Sequence, residues 1–456
     1  MVKNMGAGLG WNVLRESEYM SKRKKLAWVV NGSATTATTQ MSCSAADLGV
    51  IFEWVEDVVN EATSAEVFRA ECIQLTKDVV SGFLQRRDCY CKYPRPKYQL
   101  VTVAALYVCS AYATNMPYSS GYLLDVSMNL YTRAEFYDAI RDVLSWVVQT
   151  CAADPEGPMD PVVWQRRLST HTESVVDAVV LRTPERCTVV RKRIPNQCYG
   201  GMPCVSAVVE LMAHWHLRRT LSSASSDRIV HLRSACVMVG HVDLFYEYVP
   251  FSLGEYMKNP LVPRLLCDVA EGLVQLHDAG VAHRDVKVDN LRVGMDRRGR
   301  IIDLGAAGHG SVRTTVPICT ISTRSPDVLA TEVKSLSSKP SEPSEPSEPY
   351  DPRSLDVWSF GVVALTMFTG SCPFGPMTNE TTAEEALEVI ETYLQRRLMV
   401  HLAGLPSGFR SILRECLSRD PAMRPTMRAV LDTWRTVMSA EVDTEAAGTE
   451  DANQPA

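Results

Sequence analysis

His283-Arg284-Asp285-Val286-Lys287-Val288-Asp289-Asn290 gathers a histidine, two basic groups, two carboxylates and an amide into eight residues. Only Val286 and Val288 are apolar, so the stretch reads as a polar loop: either a plain connector or a site. Working outward, Leu265, Leu266, Val269, Leu273 and Leu276 recur at helical spacing and lead into it. Further upstream, Leu244-Phe245-Tyr246-Glu247-Tyr248-Val249-Pro250 reads as a strand that runs into a turn. Downstream, the apolar pair Ile301-Ile302 delivers a further carboxylate in Asp303-Leu304-Gly305, thirteen residues after Asn290.

The octapeptide resembles the catalytic loop of protein kinases, H-R-D-x-K-x-x-N, and Asp303-Leu304-Gly305 resembles their magnesium-binding D-F-G. The resemblance implies that Asp285 orients a substrate hydroxyl, with Lys287 beside it. It implies that Asn290 and Asp303 hold Mg2+, with ATP as phosphoryl donor. Val189-Val190-Arg191-Lys192-Arg193-Ile194 is similar to the kinase strand V-A-I-K, with Lys192 as the lysine on the nucleotide phosphates. Glu210, eighteen residues on and inside a helical stretch (Val205 to Leu217), is then its ion-pair partner. Backbone groups near Glu247, Tyr248 and Val249 would bind adenine.

Other motifs follow in kinase order. Arg324-Ser325-Pro326-Asp327 is a variant of A-P-E, and Asp327 is expected to pair with Arg424. Asp356-Val357-Trp358-Ser359-Phe360-Gly361 matches the helix whose aspartate braces the catalytic loop around His283 and Arg284. Lys287, two after Asp285, marks serine/threonine rather than tyrosine kinases. Between Asp303 and Asp327 lies a short activation segment with Thr314 and Thr315. Thr320 stands at the position that usually touches the catalytic aspartate.

Two departures bear on activity. Between Gly157 and Gly200 there is no glycine, so the phosphate-covering G-x-G-x-x-G is absent. Its equivalent is Ser169-Thr170-His171-Thr172-Glu173-Ser174, followed by Val176 on the nucleotide side. Side chains there would hold the loop off the phosphates, and weak ATP binding is expected. The helix around Glu210 resembles that of cyclin-dependent kinases, but Val209 and Gly308 stand where arginines would bind a phosphothreonine. Only Arg284 matches, so ordering by phosphate on Thr315 is expected to be weak.

Residues 45–150 carry a helical period. Leu48, Ile51, Val55 and Val58 make one stripe; Phe68, Cys72, Leu75, Val79 and Phe83 a second; Phe136, Ile140, Val143 and Val147 a third. Thr63-Ser64-Ala65-Glu66 and Thr132-Arg133-Ala134-Glu135 are capping boxes. Leu100 to Ala113 is apolar nearly all round and is expected to be a central helix covered by the others. Tyr98 to Tyr112, Asn129 to Arg133 and the surroundings of Trp54 resemble the third, fifth and first helices of a cyclin box. That resemblance implies an intramolecular contact with the 205–217 helix and cell-cycle regulators as partners. Ala111 and Ile140 stand where cyclins usually carry a lysine and a glutamate, so the contact is expected to be apolar.

The expected architecture is therefore multi-domain. An all-α five-helix cyclin-like domain (45–150) follows a flexible segment (1–44) and precedes a linker (151–161). An α+β bilobal protein kinase fold follows (162–440), with an N-lobe at 162–248 and a C-lobe at 249–440. The Ser341-Glu342-Pro343 repeats form a flexible insertion (335–350), and the acidic tail 441–456 reads as disordered. Composition fits: 456 residues, 46% hydrophobic, 22% charged. A net charge of -6 argues against nucleic-acid partners. No apolar stretch is long enough for a membrane span, no signal peptide opens the chain, and the fourteen scattered cysteines read as reduced thiols. These point to an intracellular protein. Lys22-Arg23-Lys24-Lys25, a solvated basic patch or a nuclear-import signal, leaves nucleus and cytoplasm both open. Two functions remain: a serine/threonine kinase with a cyclin-like activator in cis acting on protein substrates, or a pseudokinase scaffold.

Overall fold

A computed structural model describes residues 43–62, 66–86, 92–114, 117–153, 162–170, 174–181, 188–196, 201–221, 227–310, 319–337, 350–378 and 380–451. The basic run at 22–25, the Thr63 capping box, residues 154–161 of the linker, His171 to Glu173, Thr314, Thr315 and the Ser-Glu-Pro repeats lie outside the described residues. The chain divides into two compact units: Met1–His216 with His231–Tyr248, and Leu217–Val230 with Val249–Ala456.

The first unit begins with helices α1 (Ala45–Ala62), α2 (Glu66–Leu84), α3 (Tyr98–Thr114), α4 (Ser120–Val126) and α5 (Arg133–Cys151). The α3 helix is buried from Tyr98 to Ala113, as its unbroken apolar surface requires. Two of its polar side chains bond back to the helix: Thr102 donates to the Tyr98 carbonyl at 2.8 Å and Ser110 to that of Tyr107 at 3.0 Å. The three apolar stripes are buried around it. Edge-to-face pairs such as Tyr107–Phe136 and Phe83–Trp146 fill the gaps. The α5 helix starts on the expected capping box. The Thr132 hydroxyl accepts the Glu135 N–H at 3.2 Å, and the Glu135 carboxylate accepts the Thr132 N–H at 3.0 Å.

The same unit holds a five-stranded antiparallel sheet of β1 (Val162–Thr170), β2 (Val175–Leu181), β3 (Thr188–Pro195), β4 (Leu232–Val237) and β5 (His241–Glu247), in the order β1-β2-β3-β5-β4. Its register puts Val176, Lys192 and Leu244 in one cross-strand row and Ala178, Val190 and Tyr246 in the next, on the same face. The opposite face carries ion pairs: buried Asp177 takes Arg167 at 2.6 Å and Arg191 at 2.9 Å. Helix α6 (Val205–Thr220) runs three residues past the expected Leu217, with Arg218 and Arg219 in its last turn, where cations suit the helix dipole.

In the second unit, amphipathic α7 (Val262–Asp278) leads through β7 (Val281–Ala282) into the His283–Asn290 loop. Strands β6 (Phe251–Ser252), β8 (Leu291–Val293) and β9 (Gly299–Ile301) form a small sheet, and β10 (Gly308–His309) pairs with β7. Helices α8 (Pro326–Ser337), α9 (Pro352–Thr369), α10 (Ala383–Arg396), α11 (Leu398–Ala403), α12 (Ser407–Cys416) and α13 (Met427–Asp451) complete it. Two boundaries differ from expectation. Helix α8 extends to Ser337, into the stretch read as an insertion. The backbone of α13 stays helical to Asp451, where disorder was expected from Glu441. Among the described residues no helix is long and apolar enough to cross a membrane.

Candidate active site

The first cluster lies within the first unit. Lys192 Nζ meets Glu210 Oε2 at 2.7 Å, and the Tyr246 hydroxyl donates to Glu210 Oε1 at 2.7 Å. Glu210 is 1% exposed, so two donors face a carboxylate that has left water. Ser169 pairs with Val176 across β1 and β2, and Val176 pairs with Lys192 on β3, so the three share one cross-strand row. Ser174 precedes β2, and Thr170 pairs with Val175 across β1 and β2. Glu247 closes β5 opposite Val189 and Tyr248 follows it.

In the same unit, α6 packs against the helical bundle. Trp215 lies against Trp146 of α5 with ring centroids 6.1 Å apart, and His216 against Tyr112 of α3 at 5.9 Å. Val208, Val209 and Met212 are fully buried, Val205 half-buried. The contact is not purely apolar, as had been expected from Ala111 and Ile140. Arg141, one residue beyond Ile140, donates to the Gly201 carbonyl just before α6 at 2.7 Å. Gly201 has φ +76°, and a Cβ there would sit 2.4 Å from the Val239 carbonyl oxygen, so glycine is required for this approach.

The second cluster lies within the second unit. Asp285 Oδ1 accepts the Thr320 hydroxyl at 2.7 Å and the Thr320 N–H at 2.9 Å. Lys287 Nζ lies 2.8 Å from Asp285 Oδ2 and donates to the Thr320 hydroxyl at 2.8 Å. Burial alone would raise the Asp285 pKa; the Lys287 ammonium and the hydrogen bonds from Thr320 outweigh it and hold the carboxyl below the usual range. The Asn290 amide donates to the Asp285 carbonyl at 2.9 Å and to its carboxylate at 3.1 Å. That turns the amide oxygen of Asn290 away from Asp285, as a hard cation would require. The Ile302 N–H donates to the Asn290 carbonyl at 3.0 Å, tying the loop to the residue before Asp303. Asp303 adopts φ +65° and accepts the Gly305 N–H at 3.1 Å. A left-handed aspartate costs of order 1 kcal/mol and is retained where the surroundings demand it. Oxygen donors from Asn290 and Asp303 fit Mg2+.

Asp356, fully buried, accepts the backbone N–H groups of His283 and Arg284 at 2.8 and 2.7 Å. His283 Nε2 donates to the Ile302 carbonyl at 3.1 Å and Nδ1 accepts the Asp285 N–H at 3.2 Å. Arg424 and Asp327 pair at 2.5 Å. Arg284 is 1% exposed and lies on Gly308, where a Cβ would come within 2.5 Å of its guanidinium. The missing side chain at 308 is therefore what lets Arg284 bury. Two participants escaped the sequence reading. Tyr246 was seen only as a strand residue, and His277, 2.9 Å from Asp356, was not singled out at all. Neither carries a motif; the cross-strand register was the one available signal for Tyr246.

A protein kinase domain model matches residues 202–434, beginning after Lys192 and leaving the helical residues 45–151 outside it. The match covers half the chain, and the chain belongs to the protein kinase family. It is 27% identical over 180 residues to mitogen-activated protein kinase kinase kinase 12 of Rattus norvegicus, covering 38% of this chain and 18% of that protein. It is 23% identical over 273 residues to serine/threonine-protein kinase GL21140 of Drosophila persimilis, covering 58% and 34%. Tyrosine-protein kinase Srms of Mus musculus is 27% identical over 223 residues, covering 45% and 40%. The chain thus spans well under half the length of these relatives.

Proposed function

We propose that the chain transfers the γ-phosphoryl group of ATP to serine or threonine hydroxyls of proteins, and that its helical bundle acts in cis as an activator of cyclin-like type. The observation that carries the reading is the Asp285–Lys287–Thr320 cluster. A protein with no phosphoryl transfer to perform has no need of a half-buried carboxylate, a lysine and a hydroxyl joined in this way. Asp285 orients the incoming hydroxyl. Its depressed pKa makes it a weak base, which suits a loose transition state in which the hydroxyl proton leaves late. Lys287 balances charge near the transferred group, and Lys192, aligned by Glu210, holds the phosphates. Asn290 and Asp303 hold Mg2+, which supplies charge neutralisation at the phosphates. Glu247 and Tyr248 offer backbone groups to adenine.

The activator role is supported by α6, whose buried face is shared with α3 and α5. A tethered activator acts at high effective concentration, so a small contact suffices. A second reading, a pseudokinase scaffold, is favoured by one observation, the glycine-free hairpin between β1 and β2. Incubating the full chain with γ-labelled ATP, with Asp285→Asn as control, decides between them. Label incorporated by the natural chain and lost in the variant supports the kinase; equal, background labelling of both supports the scaffold.

A further inference from the structure

We infer that Tyr246 is a positioning residue: its hydroxyl fixes the carboxylate of Glu210, and through it the setting of α6, so that Lys192 stays aligned. The inference rests on the kinase reading above and deepens it. Tyr246 and Lys192 stand in adjacent cross-strand rows on one face of the sheet, since Val190 pairs with Tyr246 and Lys192 with Leu244. Each presents a donor to a different oxygen of Glu210, both at 2.7 Å. One carboxylate is thereby held by two strands whose spacing the backbone ladder fixes. The Tyr246 ring makes a second contact with α6, against His214, with centroids 5.6 Å apart. His214 lies one turn beyond Glu210, so hydroxyl and ring together touch two successive turns of the helix and oppose both its rotation and its withdrawal. Buried His214, pushed down to about 3, stays uncharged and does not compete with Lys192 for the carboxylate.

The test uses the full chain and Tyr246→Phe, which keeps the ring and its contact with His214 and removes only the hydroxyl. The expected result is a kcat lower by about tenfold, the scale of one hydrogen bond to a buried charged group. Amide exchange along α6 should quicken at the same time. In a Glu210→Gln background the same change should alter kcat by less than about twofold, because the partner it acts through is already gone. A general loss of stability would instead lower activity by the same factor in both backgrounds. Wild-type kcat in Tyr246→Phe, or equal factors in both backgrounds, would overturn the inference. If the natural chain labels no better than Asp285→Asn, the kinase reading fails separately. The α6 exchange rates then still decide the role of Tyr246: unchanged rates in Tyr246→Phe refute it, faster rates support it.

Discussion

Two buried carboxylates, Asp356 and Glu210, hold the two clusters in different ways. Asp356 takes two backbone N–H groups and the His277 ring. Its two backbone donors belong to the loop itself, so the loop cannot leave without losing them. Glu210 takes two side chains, Lys192 and Tyr246, on a helix that reaches them from another element. Side-chain donors can part from it with no backbone group left buried and unbonded. The comparison teaches that the catalytic loop is built to stay as it is, whereas the Lys192 pair depends on where α6 sits. On the proposed function, whatever settles α6 would settle activity.

The largest effect that would break this contrast concerns the loop. Asp285→Asn should lower phosphoryl transfer by about 10²–10⁴, the range for a positioned acid–base group, and leave the melting temperature nearly unchanged. Transfer at the natural rate would remove Asp285 from the mechanism.

The next pair sharpens the contrast directly. Asp356→Ala strands two buried N–H groups and should cost about 3 kcal/mol or more in stability, at about 1–3 kcal/mol per unsatisfied group. Glu210→Gln keeps an acceptor and should cost less than about 1 kcal/mol while lowering kcat at least about tenfold. Urea denaturation of both variants beside a transfer assay checks this. Similar stability losses in the two would mean that the carboxylates do the same job.

What could be read from the sequence follows the same division. The catalytic loop was legible because it carries a motif, and its distant partners Thr320 and Asp356, 35 and 72 residues away, stand at motif positions of their own. Asp285, Lys287 and Asn290 lie within six residues, and α1, α2, α3 and α5 announced themselves by their apolar pattern and by the Thr132 capping box, whereas the short α4 did not. Tyr246 and Arg141 were not legible, because their roles arise from segments 36 and 60 residues away in the chain. Arg141 in particular was hidden by the comparison of Ile140 with a cyclin glutamate. The interacting side chain stands one position on and bonds a carbonyl, which has no side-chain signature. The ends of α8 and α13 lie beyond the points where proline-rich and acidic composition predicts loss of structure. A helix already under way needs only good helix formers to continue.

A smaller effect concerns the hairpin beside Lys192. With side chains in place of glycines, the Michaelis constant for ATP should lie near the upper end of about 1 μM–1 mM. Glycine at Ser169, His171 and Ser174 should lower it. A low-micromolar constant in the natural chain would show that the hairpin covers the phosphates well as it stands.

The smallest effect is a pH slope. Burial, reinforced by His231 and Lys192, pushes His214 from 6.5 down to about 3. Between those values the unfolded chain binds a proton that the folded chain refuses. His214's share of stability is therefore complete above 6.5 and drains away as pH falls towards about 3. Melting temperature should drop between pH 7.5 and 5.5, and His214→Phe should reduce the drop. An undiminished drop in the variant would place the acid sensitivity elsewhere.

The central claim is that the helical bundle holds α6, and so the Lys192–Glu210 pair, from within the same chain. Its most direct test is the kcat of Arg141→Ala combined with Trp146→Leu, measured on the full chain with far-UV circular dichroism unchanged. The account predicts a loss of at least about tenfold, the effect of about 1.4 kcal/mol at the contact, with amide protection of residues 283–290 unaltered. Wild-type kcat in that variant would contradict it.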